Sequence, residues 1–127
     1  VIAVDTSALL AILLDEAEAD AFAGTLAQAD ALVISAGTVA EALIVAERRG
    51  LGPQMRDLLV ALSMEVAPVN AAVAAEVGGA YRRWGKGVHP AGLNMGDCFA
   101  YALASARNIP LLYKGGDFSQ TDLPPAI

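Results

Sequence analysis

The chain has 127 residues, 56% hydrophobic and 17% charged, with 8 Lys and Arg against 14 Asp and Glu, for a formal net charge of -6. That balance predicts one compact domain over residues 1–127, and excludes a disordered chain or one that needs a disulfide or structural metal merely to fold. The acid excess also excludes a protein that coats nucleic acid non-specifically, because that affinity comes from Lys and Arg neutralising phosphates.

In chain order, Val1 to Val4 is a short apolar run ending at Asp5, the pattern of a strand buried on both faces. From Thr6 to about Ala29 the chain is rich in Ala and Leu and is broken near Asp15, which predicts a short helix followed by a longer one. Leu32 to Ile34 reads as a second strand. Thr38 to Arg49 reads as a helix that stops at Gly50, with Arg48 and Arg49 in the last turn, where the dipole favours cations. Pro53 suits the first turn of the next helix, which runs to about Ser63. Glu65 to Val69 is a third strand and Ala71 to about Arg83 another helix. Trp84 to Pro90 reads as a loop, since Gly85, Gly87 and Pro90 break either period. Met95 to Arg107 is a helix, Pro110 to Tyr113 the last strand, and Gly115-Gly116 a turn. Strand and helix alternate throughout, which predicts an α/β fold with a mainly parallel central sheet of about four or five strands flanked by helices on both faces.

Parallel sheets bind ligands at the carboxyl ends of their strands, and that rule sorts the acids. Asp5 follows the first strand, and Glu41 falls in the first turn of the helix after the second. Asp97 falls in the first turn of the helix opening at Leu93-Asn94-Met95-Gly96, and Asp117 follows the last strand. The others, such as Asp15, Glu16, Glu18 and Asp20, read as a solvated helix face. Each of the four has a structural alternative. Thr38-Val39-Ala40-Glu41 has capping-box spacing, and Asn94-Met95-Gly96-Asp97 has similar spacing. Asp5 suits a helix cap, and Asp117 an Asx-turn.

Taken together the four favour a shared role, because converging carboxylates repel and raise one another's pKa unless a cation neutralises them. The chain has one histidine, His89, and one cysteine, Cys98, which excludes a His-x3-His or thiolate site, so any metal is held by oxygen. Mg2+ or Mn2+ is the expected ion. Ions held this way lower the pKa of bound water and clamp phosphodiester oxygens during in-line attack. Thr6 and Ser7 are candidates to orient that water or a phosphate oxygen through their hydroxyls, with helix capping as the alternative.

These residues carry a resemblance. Val4-Asp5-Thr6-Ser7-Ala8-Leu9-Leu10, Glu41, the run from Gly85 through Asn94-Met95-Gly96-Asp97-Cys98-Phe99-Ala100-Tyr101 to Ala104, and Leu111 through Gly116-Asp117-Phe118 to Asp122 are similar to the PIN-domain ribonuclease toxins of the VapC type. The similarity spans nearly the whole chain. It implies a PIN-like parallel sheet flanked by helices and a metal-dependent endoribonuclease, the toxin of a toxin-antitoxin pair. Asp5 and Asp97 would be the metal ligands, with Glu41 and Asp117 completing the cluster around Mg2+ or Mn2+. It further implies RNA as substrate, a cognate VapB-type antitoxin in the groove by the site, and commonly a homodimer. Where relatives often carry a further polar or acidic residue, this chain has Gly116.

An RNA substrate calls for local cations. Arg82, Arg83 and Lys86 form a basic stretch, with His89 nearby and Lys114 close to Asp117. Some of these are expected to contact phosphates outside the metal site, the alternative being that Arg82 and Arg83 complement a helix C-terminus and the rest are solvated. Trp84 reads as packing over a helix end and His89 as structural. Cys98 has no adjacent base and reads as a small buried side chain. A lone cysteine excludes an intrachain disulfide and makes a reducing, cytoplasmic setting the expectation. The longest apolar run, Ala8 to Leu14, falls short of the ~20 residues of a membrane span, and no cationic stretch precedes an apolar one as in a secretory signal.

Other classes fit less well. A phospho-acceptor receiver domain needs paired acids after the first strand and an acceptor Asp after a central one, whereas Thr6 follows Asp5 and Asp57 falls in a predicted helix. A haloacid-dehalogenase-type phosphatase needs an Asp where Ser7 stands. A non-catalytic α/β partner-binding module remains the alternative, and it predicts that metal binding is absent.

Overall fold

A computed structural model describes residues 1–127. Four strands, β1 (Ile2–Val4), β2 (Leu32–Ser35), β3 (Glu65–Ala67) and β4 (Leu111–Leu112), form one sheet in the order β3-β2-β1-β4. Every pairing is parallel, with Ala3 opposite Val33 and Leu111, and Val4 opposite Leu112. Six helices surround it: α1 (Thr6–Leu13), α2 (Ala19–Gln28), α3 (Ala36–Arg48), α4 (Gly52–Leu62), α5 (Ala71–Trp84) and α6 (Met95–Arg107), with a 3-10 turn at Phe118–Gln120.

Strand side chains alternate between faces, and the in-register residues sort accordingly. Ala3, Val33 and Leu111 enter a core with Trp84, Leu93, Tyr101 and Phe118, beneath α5 and α6. Val4, Ile34 and Leu112 enter a second core with Leu9, Phe22, Ala42 and Met55, beneath α1 to α4. Both faces of the sheet are therefore dry, which is why its strands read as short apolar runs rather than as alternating ones.

The expected elements are present with shifted ends, and one shift matters. Helix α3 starts at Ala36, not Thr38, because the Ser35 hydroxyl caps it, accepting from the Gly37 amide at 3.2 Å. The predicted Thr38-to-Glu41 capping box does not form. Thr38 is fully buried inside the first turn and Glu41 lies in the second. At Asn94 the predicted box is present: Asn94 accepts from the Asp97 amide at 2.8 Å, and Asp97 accepts from the Asn94 amide at 3.0 Å.

Helices α3 and α6 meet closely at their N-terminal ends, through an exchange of side chains. The Phe99 ring of α6 fills the space where Gly37 of α3 would carry a Cβ. The Glu41 carboxylate of α3 fills the corresponding space at Gly96 of α6.

Candidate active site

The carboxyl edge of the sheet presents Asp5, directly after β1, as the N-cap of α1. Asp5 is 3% exposed. Its Oδ2 accepts from the Ser7 amide at 3.0 Å and from the Ser7 hydroxyl at 2.6 Å, whereas Oδ1 is buried with no hydrogen-bond partner. Ser7 is itself held by the Lys114 backbone amide just beyond β4, which donates to its hydroxyl oxygen at 2.9 Å. The last strand thus fixes the orientation of the first acid.

Glu41 reaches the same edge from α3. Its Oε1 accepts from the buried Thr6 hydroxyl at 2.7 Å, and its other oxygen lies against Gly96. Asp97 stands half-buried one residue further along α6. Burial raises the Asp5 carboxyl from an ordinary 3.8 to about 7, against the pull of its two Ser7 hydrogen bonds, and the charges of Asp97 and Glu41 push it the same way. Asp97 rises to about 6, again chiefly by burial, with Glu41 and Asp117 adding their repulsion. The structure therefore brings Asp5, Glu41 and Asp97 together, with Asp117 exposed but close enough to be felt by Asp97. Asp117 makes no Asx-turn hydrogen bond, and the space around Gly116 is open.

The side chains do not stand as a finished coordination shell. No three His, Cys, Asp or Glu side chains are placed to hold an ion as they lie. The physical reason is visible in the hydrogen bonds: one oxygen of Asp97 is turned back to the Asn94 amide, one of Asp5 to Ser7, and one of Glu41 to Thr6. The donor chemistry nonetheless suits a hard divalent cation, since every donor is a carboxylate oxygen and Asp5 Oδ1 is an acceptor buried without a partner.

The structure alters some assignments from the sequence and keeps others. Thr6 and Ser7, candidates either to orient water or phosphate or to cap a helix, donate their hydroxyl protons to Glu41 and Asp5. Arg83, expected on RNA, lies 3.5 Å from Asp122 and stacks over the Trp84 ring at 4.6 Å. Lys114 is paired with Glu16 at 2.8 Å and Glu18 at 3.5 Å, so those two acids are not a merely solvated face. His89 Nδ1 accepts from the Ala91 amide at 3.0 Å and its ring meets Trp84 edge-on, as a structural histidine. Cys98 is buried and its thiol is pushed up to about 11, chiefly by burial, which makes it inert. Arg82 and Lys86 remain exposed, and Lys86 is tied to the residue before the α6 cap by its amide, which donates to Leu93 at 2.9 Å. Gly96 was passed over in the sequence. Its signal was a glycine, a poor helix former, in the first turn of a helix otherwise well capped.

A model of the PIN domain matches residues 2–123. The chain belongs to the PIN-domain family. Within that family it is of the VapC type: it is 45% identical over 123 residues to a ribonuclease VapC of Mycolicibacterium smegmatis, covering 94% of this chain and 95% of the relative. It is 42% identical over 128 residues to ribonuclease VapC28 of Mycobacterium tuberculosis, covering 98% and 96%. Among solved structures, VapC20 of M. tuberculosis, described as a sarcin-ricin loop cleaving toxin, superposes with a TM-score of 0.78 at 18% identity, covering 97% of this chain and 96% of that one. A toxin-antitoxin complex from Klebsiella pneumoniae gives 0.72 at 18% identity, covering 100% and 98%. The PIN-like α/β architecture expected from the sequence is thus the observed one.

Proposed function

We propose that the protein is a divalent-metal-dependent endoribonuclease that hydrolyses RNA phosphodiesters, and the toxin of a VapBC-type toxin-antitoxin pair. The observation that carries the reading is the buried Asp5 carboxylate, with one oxygen fixed by Ser7 and the other unpartnered, at a sheet edge shared with Glu41 and Asp97. Isolated buried carboxylates cost stability, and a fold that tolerates one at its ligand edge is holding it for chemistry.

Asp5 and Asp97 would hold Mg2+ or Mn2+, with Glu41 and Asp117 supplying further negative charge. When bound, such an ion polarises phosphodiester oxygens and lowers the pKa of a bound water. The chain's own groups do the rest. Ser7 and Thr6 keep Asp5 and Glu41 in place, and the α6 N-terminus lies beside Asp97 with its positive dipole end. Lys86 and Arg82, free of ion pairs, would take RNA phosphates away from the acids. The relatives named ribonuclease support the activity, and the solved toxin-antitoxin complexes support an antitoxin partner. A second copy of the chain is the other proposed partner, favoured by exposed Ile44, Tyr81 and Met95 on α3, α5 and α6. No helix is long and apolar enough to cross a membrane.

The decisive experiment is cleavage of RNA by the purified protein with added Mg2+ or Mn2+, before and after EDTA, alongside Asp97→Asn. Cleavage abolished by the chelator and by a folded Asp97→Asn protein is the expected result. Undiminished cleavage by that variant overturns the mechanism.

A further inference from the structure

The side-chain exchange between α3 and α6 has a role in the site itself. We propose that Gly96 is a positioning residue: its missing Cβ is the seat of the Glu41 carboxylate, and the Thr6 hydroxyl clamps that carboxylate from the other side. The inference deepens the nuclease reading and rests on it only for its activity arm.

Three observations carry it. A Cβ built on Gly96 would overlap Oε2 and the carboxylate carbon of Glu41, with Oε1 at 2.7 Å. No side chain at position 96 is compatible with Glu41 where it lies. The Thr6 hydroxyl, buried at the start of α1, donates to the Glu41 Oε1 at 2.7 Å. The carboxylate of α3 is thereby held between two other elements, α6 at Gly96 and α1 at Thr6. Finally, Phe99 lies in the space beside Gly37, three residues along α6 from Gly96. That contact keys α6 against the first turn of α3, so the helices do not slide independently of it.

A methyl at position 96 therefore meets the far end of a flexible side chain rather than backbone. The backbone of Gly96 is helical without a positive φ, so alanine is conformationally suited and is the better helix former. The substitution is predicted to leave the fold intact and move one carboxylate. Glycine in this turn is thus explained by Glu41 and not by backbone geometry, which separates it from Gly92 and Gly115, whose φ values of 64° and 104° demand glycine for their own sake.

The test is the crystal structure of Gly96→Ala without added metal, together with RNA cleavage rates for Gly96→Ala, Glu41→Ala and the double variant. The structure is expected to show α3 and α6 in place, with the Glu41 carboxylate off Thr6 and turned outward. Cleavage is expected to fall at least tenfold in Gly96→Ala, and the added methyl to cause no further loss once Glu41 is already alanine. A carboxylate still bonded to Thr6 beneath a shifted α6 overturns the proposal. An equal loss from Gly96→Ala in the presence and absence of Glu41 also overturns it. Should the parent protein cleave no RNA, the nuclease reading fails, and the position of the carboxylate in the crystal still decides the role of Gly96.

Discussion

Replacing Asp5 with Asn tests the electrostatic core of the site without reference to any substrate. The unfolded chain ionises this group near 3.8, and the folded chain holds its proton to about 7. Because the folded value is the higher, the folded state binds more protons between the two. The contribution of Asp5 to stability is therefore full below pH 3.8 and lost as pH rises through about 7. From pH 5 to 7 the interval is about two units at 1.36 kcal/mol each, so ionising Asp5 costs the metal-free protein about 3 kcal/mol by pH 8. With a urea m-value of about 1–3 kcal/mol/M for a domain this size, the midpoint falls by about 1–3 M. Asn is isosteric and keeps an acceptor for Ser7, but cannot ionise. Its amide nitrogen would inherit the unpartnered position of Oδ1, a cost of about 1–3 kcal/mol that does not vary with pH. The diagnostic is thus the difference in slope, measured by urea denaturation in EDTA at pH 5, 6, 7 and 8. Asp97, raised to about 6 chiefly by burial, tilts both profiles in the same direction. Parallel profiles for the parent and Asp5→Asn would refute the claim that Asp5 is buried at a cost to the fold.

Ser7→Ala removes both the hydroxyl on Asp5 and the acceptor for the Lys114 amide; we expect about 1–3 kcal/mol of destabilisation by urea denaturation, with weaker RNA cleavage. Ile34→Ala, at a fully buried position in the centre of the sheet, is expected to cost about 2–5 kcal/mol by the same assay. Arg82→Glu with Lys86→Glu is expected to weaken RNA binding and flatten its dependence on salt, read by fluorescence anisotropy of a labelled RNA between 50 and 200 mM salt; an unchanged slope removes these two residues from the interface.

The alternation of strands and helices was legible because it rests on local signals. Apolar runs of strand length, glycines at helix ends and Pro53 at a helix start each announce themselves within a few residues. The four acids could be placed at one edge because that edge follows from the parallel order. What the sequence concealed depends on partners far apart along it. Thr6 meets Glu41, 35 residues away, and that bond overrides the local capping spacing at Thr38. Lys114 finds Glu16 across 98 residues, and Arg83 finds Asp122. Each removes a cation from the pool available to a substrate. Gly96 was hidden for a different reason, since the absence of an atom has meaning only once the group that fills the space is known.

The link from Lys114 to Ser7 joins residues 107 positions apart, and it sets an order in time. Asp5 is synthesised well before the Lys114 amide that fixes its partner. At about 5–20 residues per second the ribosome adds the intervening chain in roughly 5–20 s. Throughout that interval β1 lacks its neighbour β4, and Asp5 has no Leu112 carbonyl for its own amide, a bond of 3.0 Å in the finished fold. A nascent chain therefore carries its acids unassembled until β4 and the residues just beyond it have been made.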